Sequence, residues 1–432
     1  MNPMTAPWRV VIVALGSGGD VYPMMALGAP LVARGHQVHF VSSPHFAARA
    51  RAAGFTFHAC ATEEDERRAL QSTDLWKPVT GFRLLLQGIL DNLPTVYRLI
   101  CDLHEPGRTI ILSNSAALAA RVARETLGIP LVTIHLQPIQ LRSLYVQPGV
   151  VVSERWTPVV SAFRTFFLPA VDRWLFDPIA APTLNTFRAK FGLPPVRRIY
   201  HKWIHSPDLV LGLFPDWFAA PQRDWPPHTH LVGFPQAEPF TGAQIEPELE
   251  SFLNAGPPPI VFTAGTSMTA ATQFFAAAVE ACRTNNRRAL LLTQYPEQLP
   301  PLPDQVRHVK FAPFDRLLPR AAALVHHGGI GTMAAAFAAG IPQLVVPFNF
   351  DQPDNAARLR ALGAGTFIRS QACNGAQVAR ALDGLLTSPA VAAKCEAIAE
   401  RMRHRRFAAD AADLIEAMAR RSMVDVARAQ AS

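Results

Sequence analysis

Sulfur chemistry is the first thing this chain withholds. Its 432 residues contain five cysteines, Cys60, Cys101, Cys282, Cys373 and Cys395, scattered without a CxxC pair or metal-ligand spacing. That excludes a disulfide framework and a zinc module, and it suits a reduced compartment. The cytoplasm, or the inner face of its membrane, is the expected location. Charge is also scarce, at 17% of residues against 49% hydrophobic, a balance that belongs to folded rather than disordered chains. No apolar run reaches the roughly 18 residues of a membrane span, because Arg164, Asp172 and Arg173 break the most hydrophobic region. The first apolar run, Trp8 to Leu15, is too short for a secretion signal and is interrupted at once by glycines. A DxD triplet is absent, and no His, Asp and Glu cluster has metal spacing. Neither a metal nor a cofactor is expected.

The net charge of +8 is compatible with acidic ligands or with peripheral contact to anionic membrane surfaces. The basic clusters Arg197-Arg198 with Lys202, and Arg401 to Arg406, read as solvated faces, and nucleic acid is not expected as a partner. The oligomeric state is not readable.

What is present is a repeated grammar. Short β-branched runs at Val10–Leu15, Gln37–Val41, Thr109–Leu112, Leu131–His135 and Asp208–Phe214 alternate with helical stretches at Pro23–Arg34, His45–Ala53 and Ala116–Leu127, which means βαβ units and a parallel sheet. A second series has strands at Ile260–Thr263, Ala289–Thr293, His308–Phe311, Ala322–His326, Gln343–Val346 and Gly365–Ile368. Its helices are expected at Ala271–Arg283, Ile330–Ala339 and Pro353–Leu362, followed by Val378–Leu386, Val391–Phe407 and Ala409–Met418. Between the series, Gly233 to Pro259 is rich in Pro, Gly, Ala and Glu and reads as a linker. The expected class is α/β, with two Rossmann-like domains facing a cleft and ligands at the carboxyl ends of the strands. The expected boundaries are 1–235, a linker at 236–259, a second domain at 260–404, and a C-terminal helix at 405–432 that returns to the first domain.

Two loops stand out. Gly16-Ser17-Gly18-Gly19-Asp20 follows the first strand and opens a helix with Pro23 in its first turn. A dinucleotide fingerprint would require a third glycine at position 21, which is Val, and an acid after the second strand, which is missing. A nicotinamide-dependent oxidoreductase is therefore disfavoured. The other loop, His326-His327-Gly328-Gly329-Ile330-Gly331-Thr332, runs from an apolar strand into a helix, and Asp351-Gln352 follows nineteen residues after Thr332. Backbone N–H groups at such a helix start have no partner in the helix and are suited to phosphate oxygens.

The segments GSGGDVYPMMALGAPLVARGH, HHGGIGT and GIPQLVVPFNFDQPDNAARL together resemble the family 1 glycosyltransferases of GT-B fold. More narrowly, Trp203-Ile204-His205-Ser206-Pro207, Leu213 to Ala219, Asp224-Trp225-Pro226 and Gly233-Phe234-Pro235 look like the rhamnosyltransferases of rhamnolipid synthesis. The resemblance implies a nucleotide-sugar donor held by Ser17, Gly18, Gly19, Gly265, Thr266, Phe311, Ala312, His327, Gly329, Gly331 and Thr332. His327 would meet the diphosphate, while Asp351 and Gln352 would grip the sugar hydroxyls. Phe311 stands where relatives stack an aromatic on the base, although a core phenylalanine ending a strand is the other reading. Ala335 replaces the glutamate with which plant members hold the ribose, so ribose recognition is unassigned. Asp20 is the implied general base for an inverting transfer, with a helix N-cap as its structural alternative. His135 is the next candidate for base or acceptor contact, against a satisfied core histidine.

Phe82, Leu86 and Phe163 lie in apolar regions, Trp76 to Tyr97 and Gln137 to His205, that suit either a hydrophobic acceptor groove or a core. With the rhamnolipid resemblance, dTDP-rhamnose would be the donor and a hydroxyalkanoyloxy-alkanoate the acceptor, with Arg83 or Arg142 near its carboxylate. Sterols, macrolides and other natural products are the alternative acceptors. A sugar-nucleotide epimerase or a non-catalytic binding subunit is the alternative of another class.

Overall fold

A computed structural model describes residues 7–62, 64, 78–145, 170–235, 244–266, 268–404 and 406–431. The expected Trp76 and Phe163 lie outside these. The chain divides into two compact units, one of which joins the residues up to Gly233 with those from Arg406 onward, while the other runs from Phe234.

The first unit holds a seven-stranded parallel sheet in the order β3-β2-β1-β4-β5-β6-β7. Its strands are β1 (Arg9–Val13), β2 (Gln37–Ser42), β3 (Thr56–Ala59), β4 (Thr109–Asn114), β5 (Leu131–His135), β6 (Leu209–Gly212) and β7 (Thr229–Leu231). The central strands β4 and β5 are buried at every position, as a parallel sheet covered on both faces requires. β3 and β7, outermost on the two sides of the sheet, were not expected from the sequence. They are short and half-exposed, so no apolar run announces them.

The second unit holds a six-stranded parallel sheet in the order β10-β9-β8-β11-β12-β13. Here the strands are β8 (Ile260–Thr263), β9 (Ala289–Leu292), β10 (Val306–Val309), β11 (Ala323–His326), β12 (Gln343–Val345) and β13 (Gly365–Phe367). In both sheets the strand order reverses beside the first strand of the series, between β1 and β4 and between β8 and β11. Those reversals are where the crevice of a doubly wound sheet opens.

Three expectations are corrected. The segment read as a linker contains a helix, Pro247–Asn254, whose Leu249 and Leu253 join the core around Val261, Leu290 and Leu324. Two apolar residues four apart sufficed, and the surrounding prolines and glutamates masked them. The strand expected at His308–Phe311 ends at Val309. The helix after β1 starts at Gly18, so Pro23 lies within it rather than in its first turn. The C-terminal helix Phe407–Ala431 belongs to the first unit, where Ala411, Ala412, Ile415 and Met418 are buried. Arg34 and His36 meet it at Asp413 and Glu416, with contacts of 2.7 and 3.1 Å.

Candidate active site

In the second unit, two loops leave adjacent strand ends at the reversal, since His326 of β11 pairs with Thr263 of β8. Gly265, at φ +94°, and Gly329 both lie against the His327 ring. A Cβ at Gly265 would lie 3.0 Å from His327 Cε1, and one at Gly329 would lie 2.3 Å from Nε2. Glycine at both positions makes room for the imidazole. Burial pushes the His327 pKa down to about 4, against an opposing contribution from the Thr263 backbone. The ring is therefore neutral at pH 7 and offers a single N–H.

Gly329 is the N-cap of the helix Ile330–Ala339 and supplies no side-chain cap, so the N–H groups of its first turn, which includes Gly331 and Thr332, have no partner in the helix. A Cβ at Gly331 would meet nothing within 4 Å. Thr266 lies in the turn after β8, exposed to solvent.

Asp351 and Gln352 begin the helix that ends at Leu362. Gln352 is buried, and its Oε1 accepts from the backbone N–H of Phe348 at 2.7 Å and of Asn349 at 3.0 Å. One end of this amide therefore shapes the preceding loop. Phe350, immediately before Asp351, has φ 61°, a left-handed conformation that a bulky residue holds only where its surroundings enforce it. Asn355 was missed from the sequence. It donates to the Gly328 carbonyl at 3.0 Å and to Asp351 Oδ2 at 2.6 Å, and the i, i+4 spacing from Asp351 on one helix face was the available signal.

Phe311 is 45% exposed beyond the end of β10, which removes the core reading. The Ala312 methyl lies in the core with Leu317 and Leu318, past the end of β10 at Val309. Ala335 packs partly buried on the same cluster.

In the first unit, Ser17 is the N-cap of the helix Gly18–Ala33 and Asp20 is its third residue. The Ser17 N–H donates to Asp20 Oδ2 at 2.9 Å and the Ser17 hydroxyl to the same oxygen at 3.0 Å. Asp20 is thus the returning half of a capping box rather than the N-cap itself. Burial raises its pKa, with the two Ser17 bonds opposing. Gly18 and Gly19 occupy the first turn, and Gly16 has φ +127°, with the space of a Cβ filled by the Asp20 carboxylate. At the end of β4, the Asn114 amide clamps Leu15, accepting from its N–H at 3.4 Å and donating to its carbonyl at 2.6 Å. It fixes the root of the Asp20 loop.

The acceptor residues come out differently. Leu86 is buried in a core cluster with Leu90, Leu93, Val11 and Leu184, and Phe82 packs against that cluster with its ring edge-on to Phe176, centroids 5.1 Å apart. Helical periodicity turns 82, 86 and 90 inward. His135 is fully buried, with Nε2 2.9 Å from His205 Nδ1, and burial, then His205, holds its pKa well below the usual imidazole value. It is a core histidine. Arg142 pairs with the buried Asp172 at 2.8 Å, while Arg83 is exposed. Among the described residues, the large hydrophobic side chains left exposed in these regions are Leu84, Leu85, Tyr145, Trp174, Leu175 and Phe191, with Trp174 75% exposed.

Residues 10–146 match the glycosyltransferase family 28 N-terminal domain, and residues 289–418 match the C-terminal domain of erythromycin biosynthesis protein CIII-like proteins. O-mycaminosyltylonolide 6-deoxyallosyltransferase of Streptomyces fradiae is 30% identical over 424 residues, covering 94% of this chain and 97% of its own. Vancomycin aglycone glucosyltransferase of Amycolatopsis orientalis is 28% identical over 432 residues, covering 95% and 98%. Among solved structures, the calicheamicin glycosyltransferase CalG4 superposes with a TM-score of 0.71 at 21% identity, covering 95% of this chain and 98% of its own. The spinosyn rhamnosyltransferase SpnG, complexed with thymidine diphosphate, gives 0.67 at 22% identity, covering 94% and 100%.

Proposed function

Because this chain belongs to the natural-product glycosyltransferases of family 1/28 type, nucleotide-sugar enzymes of GT-B fold, we propose that it transfers a deoxyhexose from a thymidine-diphosphate donor to a hydroxyl of an apolar acceptor, with inversion. The observation that carries this reading is the second-unit site, in which a neutral His327 and an uncapped helix N-terminus stand beside Asp351. Helix amides and a neutral N–H donor are suited to the charge that develops on a departing diphosphate. Thymidine diphosphate is favoured because SpnG was solved with it, and exposed Phe311 is available to stack on its base.

In the proposed step, Asp20 takes the proton of the acceptor hydroxyl. The oxygen forms its bond to the anomeric carbon, and the bond from that carbon to the diphosphate oxygen breaks, releasing the nucleoside diphosphate. The raised pKa of Asp20 makes it a better proton acceptor than a solvated aspartate. The acceptor hydroxyl is assigned to a macrolide- or peptide-like aglycone, since the relatives are named for tylonolide and vancomycin aglycones.

A lipid acceptor is a second reading, favoured by exposed Leu84, Leu85, Trp174 and Leu175. The stretch that resembles rhamnolipid enzymes is occupied with the fold. Trp203 donates to Glu125 at 2.9 Å, and Ser206 donates to the Leu131 carbonyl at 2.6 Å.

The test is a thermal-shift panel of dTDP- and UDP-sugars, followed by mass spectrometry with macrolide, glycopeptide and hydroxyalkanoyloxy-alkanoate acceptors. Glycosylated product with a dTDP-sugar is expected, and it should form in EDTA. A sugar nucleotide isomerised without any acceptor would instead identify an epimerase.

A further inference from the structure

Asn355 is completely buried in the helix Gln352–Leu362. Both acceptors of its side-chain N–H₂ group belong to segments with different proposed tasks, the Gly328 carbonyl in the diphosphate loop and Asp351 Oδ2 at the sugar grip. Its own backbone N–H also donates to the Asp351 carbonyl at 3.0 Å. Gly328 is held from its other side as well, because its N–H donates to His326 Nδ1 at 3.1 Å. With Nδ1 accepting, the neutral His326 ring must donate from Nε2, 3.0 Å from Gln343 Oε1. One series of hydrogen bonds therefore runs from Gln343 in β12 through His326, Gly328 and Asn355 to Asp351. At Gly328 the backbone has φ +96°, and a Cβ there would fall 2.8 Å from Val345 Cγ1, so the loop has little room to shift.

We propose that Asn355 is a positioning residue that couples the diphosphate loop to the sugar grip, aiming the Asp351 carboxylate in register with the phosphate-facing amides. The inference rests on the glycosyltransferase reading and deepens it. Two protons on one planar nitrogen fix the angle between their two acceptors, which neither a carboxylate nor an alkyl group of similar size can do. Asn355 therefore contributes to the orientation of Asp351, whereas the bare nucleoside diphosphate depends on it much less.

The test compares thymidine diphosphate with whichever dTDP-sugar the wild-type protein binds, in calorimetry and in steady-state turnover. It uses Asn355→Ala, the near-isosteric Asn355→Asp, Asp351→Ala and the double variant Asn355→Ala with Asp351→Ala. Loss of a charge-assisted contact is expected to cut the preference for sugar nucleotide over nucleoside diphosphate by about tenfold in either Asn355 variant. The double variant should discriminate no worse than Asp351→Ala alone, because residues acting through one another are not additive. Asn355→Asp serves where Asn355→Ala does not fold. An unchanged preference, or additive losses in the double variant, would overturn the coupling while leaving the enzyme assignment intact. A wild-type protein that binds neither probe would overturn the assignment and the coupling with it.

Discussion

A single carboxylate shows how local chemistry is reused. Asp20 closes a capping box with Ser17; the Ser-x-x-Asp spacing that encodes it stands in the sequence, although the loop was read from its glycines and the cap was placed on Asp20 itself. Asp20→Asn keeps an oxygen to accept the Ser17 N–H but cannot take a proton. Turnover should fall by about 10² to 10⁴-fold with donor affinity retained, as single-turnover kinetics and calorimetry would report. A carboxyl whose pKa is raised on folding, chiefly by burial, stabilises the native state most when protonated, and that contribution is lost as pH rises through its folded value. The asparagine variant should therefore melt no lower than wild type at pH 7. Activity should decline as pH falls through a value above the ordinary 3.8, and a pH profile with no such limb would contradict the assignment. Gly331 gives the converse case. No protein atom fills the space of a Cβ there, so Gly331→Ala should stabilise the ligand-free protein by up to about 1 kcal/mol through helix propensity. It should also weaken nucleoside diphosphate binding, because the added methyl intrudes on the phosphate side of the helix start. Melting curves with and without thymidine diphosphate would show the two effects with opposite signs.

Secondary elements divide into those that periodicity reveals and those that it hides. Buried strands such as Ile260–Thr263 and Leu131–His135 were legible because parallel strands covered on both faces read as unbroken apolar runs. The glycine-punctuated start of the helix at Ile330 was legible from its loop, whereas the helix that begins at Gly18 was expected only from Pro23 onward. Core and groove were not distinguishable, since Leu84, Leu85 and Leu86 are chemically alike and only helix rotation exposes the first two and buries the third. For Asn355 the sequence offered only its i, i+4 spacing from Asp351, since its other bond reaches a backbone atom 27 positions away. The C-terminal helix Phe407–Ala431 permits a test at this scale. Phe407, Ile415 and Met418 are each buried and are worth roughly 1.5–3 kcal/mol apiece, against a typical total stability of about 5–15 kcal/mol. Truncation after His404 should therefore leave the first unit unfolded or insoluble, scored by circular dichroism and solubility. A soluble truncated protein with unchanged melting would mean that the helix contributes little.

At the scale of the whole molecule, two cores share one chain. One gathers Val11, Leu86, Leu118 and Trp203, the other Val261, Leu290, Leu324 and Ala336, and the chain passes from the first unit to the second and back again through its last helix. Most of the residues proposed to hold the donor, those from Gly265 to Gln352, belong to the second unit, while Ser17, Gly18 and Gly19 belong to the first. A ligand that binds only the native state stabilises what it touches by mass action, about 2.7 kcal/mol at one hundred times Kd. For a unit of this size that corresponds to roughly 5–11 °C in Tm. Differential scanning calorimetry should therefore resolve two transitions, and thymidine diphosphate should move the one assigned to the second unit while leaving the other near its original temperature. Hydrogen exchange would make that assignment directly, with new protection expected at the amides of Ile330, Gly331 and Thr332. Protection confined to the first unit, or a shift of its transition alone, would place the nucleotide elsewhere and remove the basis for reading His327 and Asp351 as its partners.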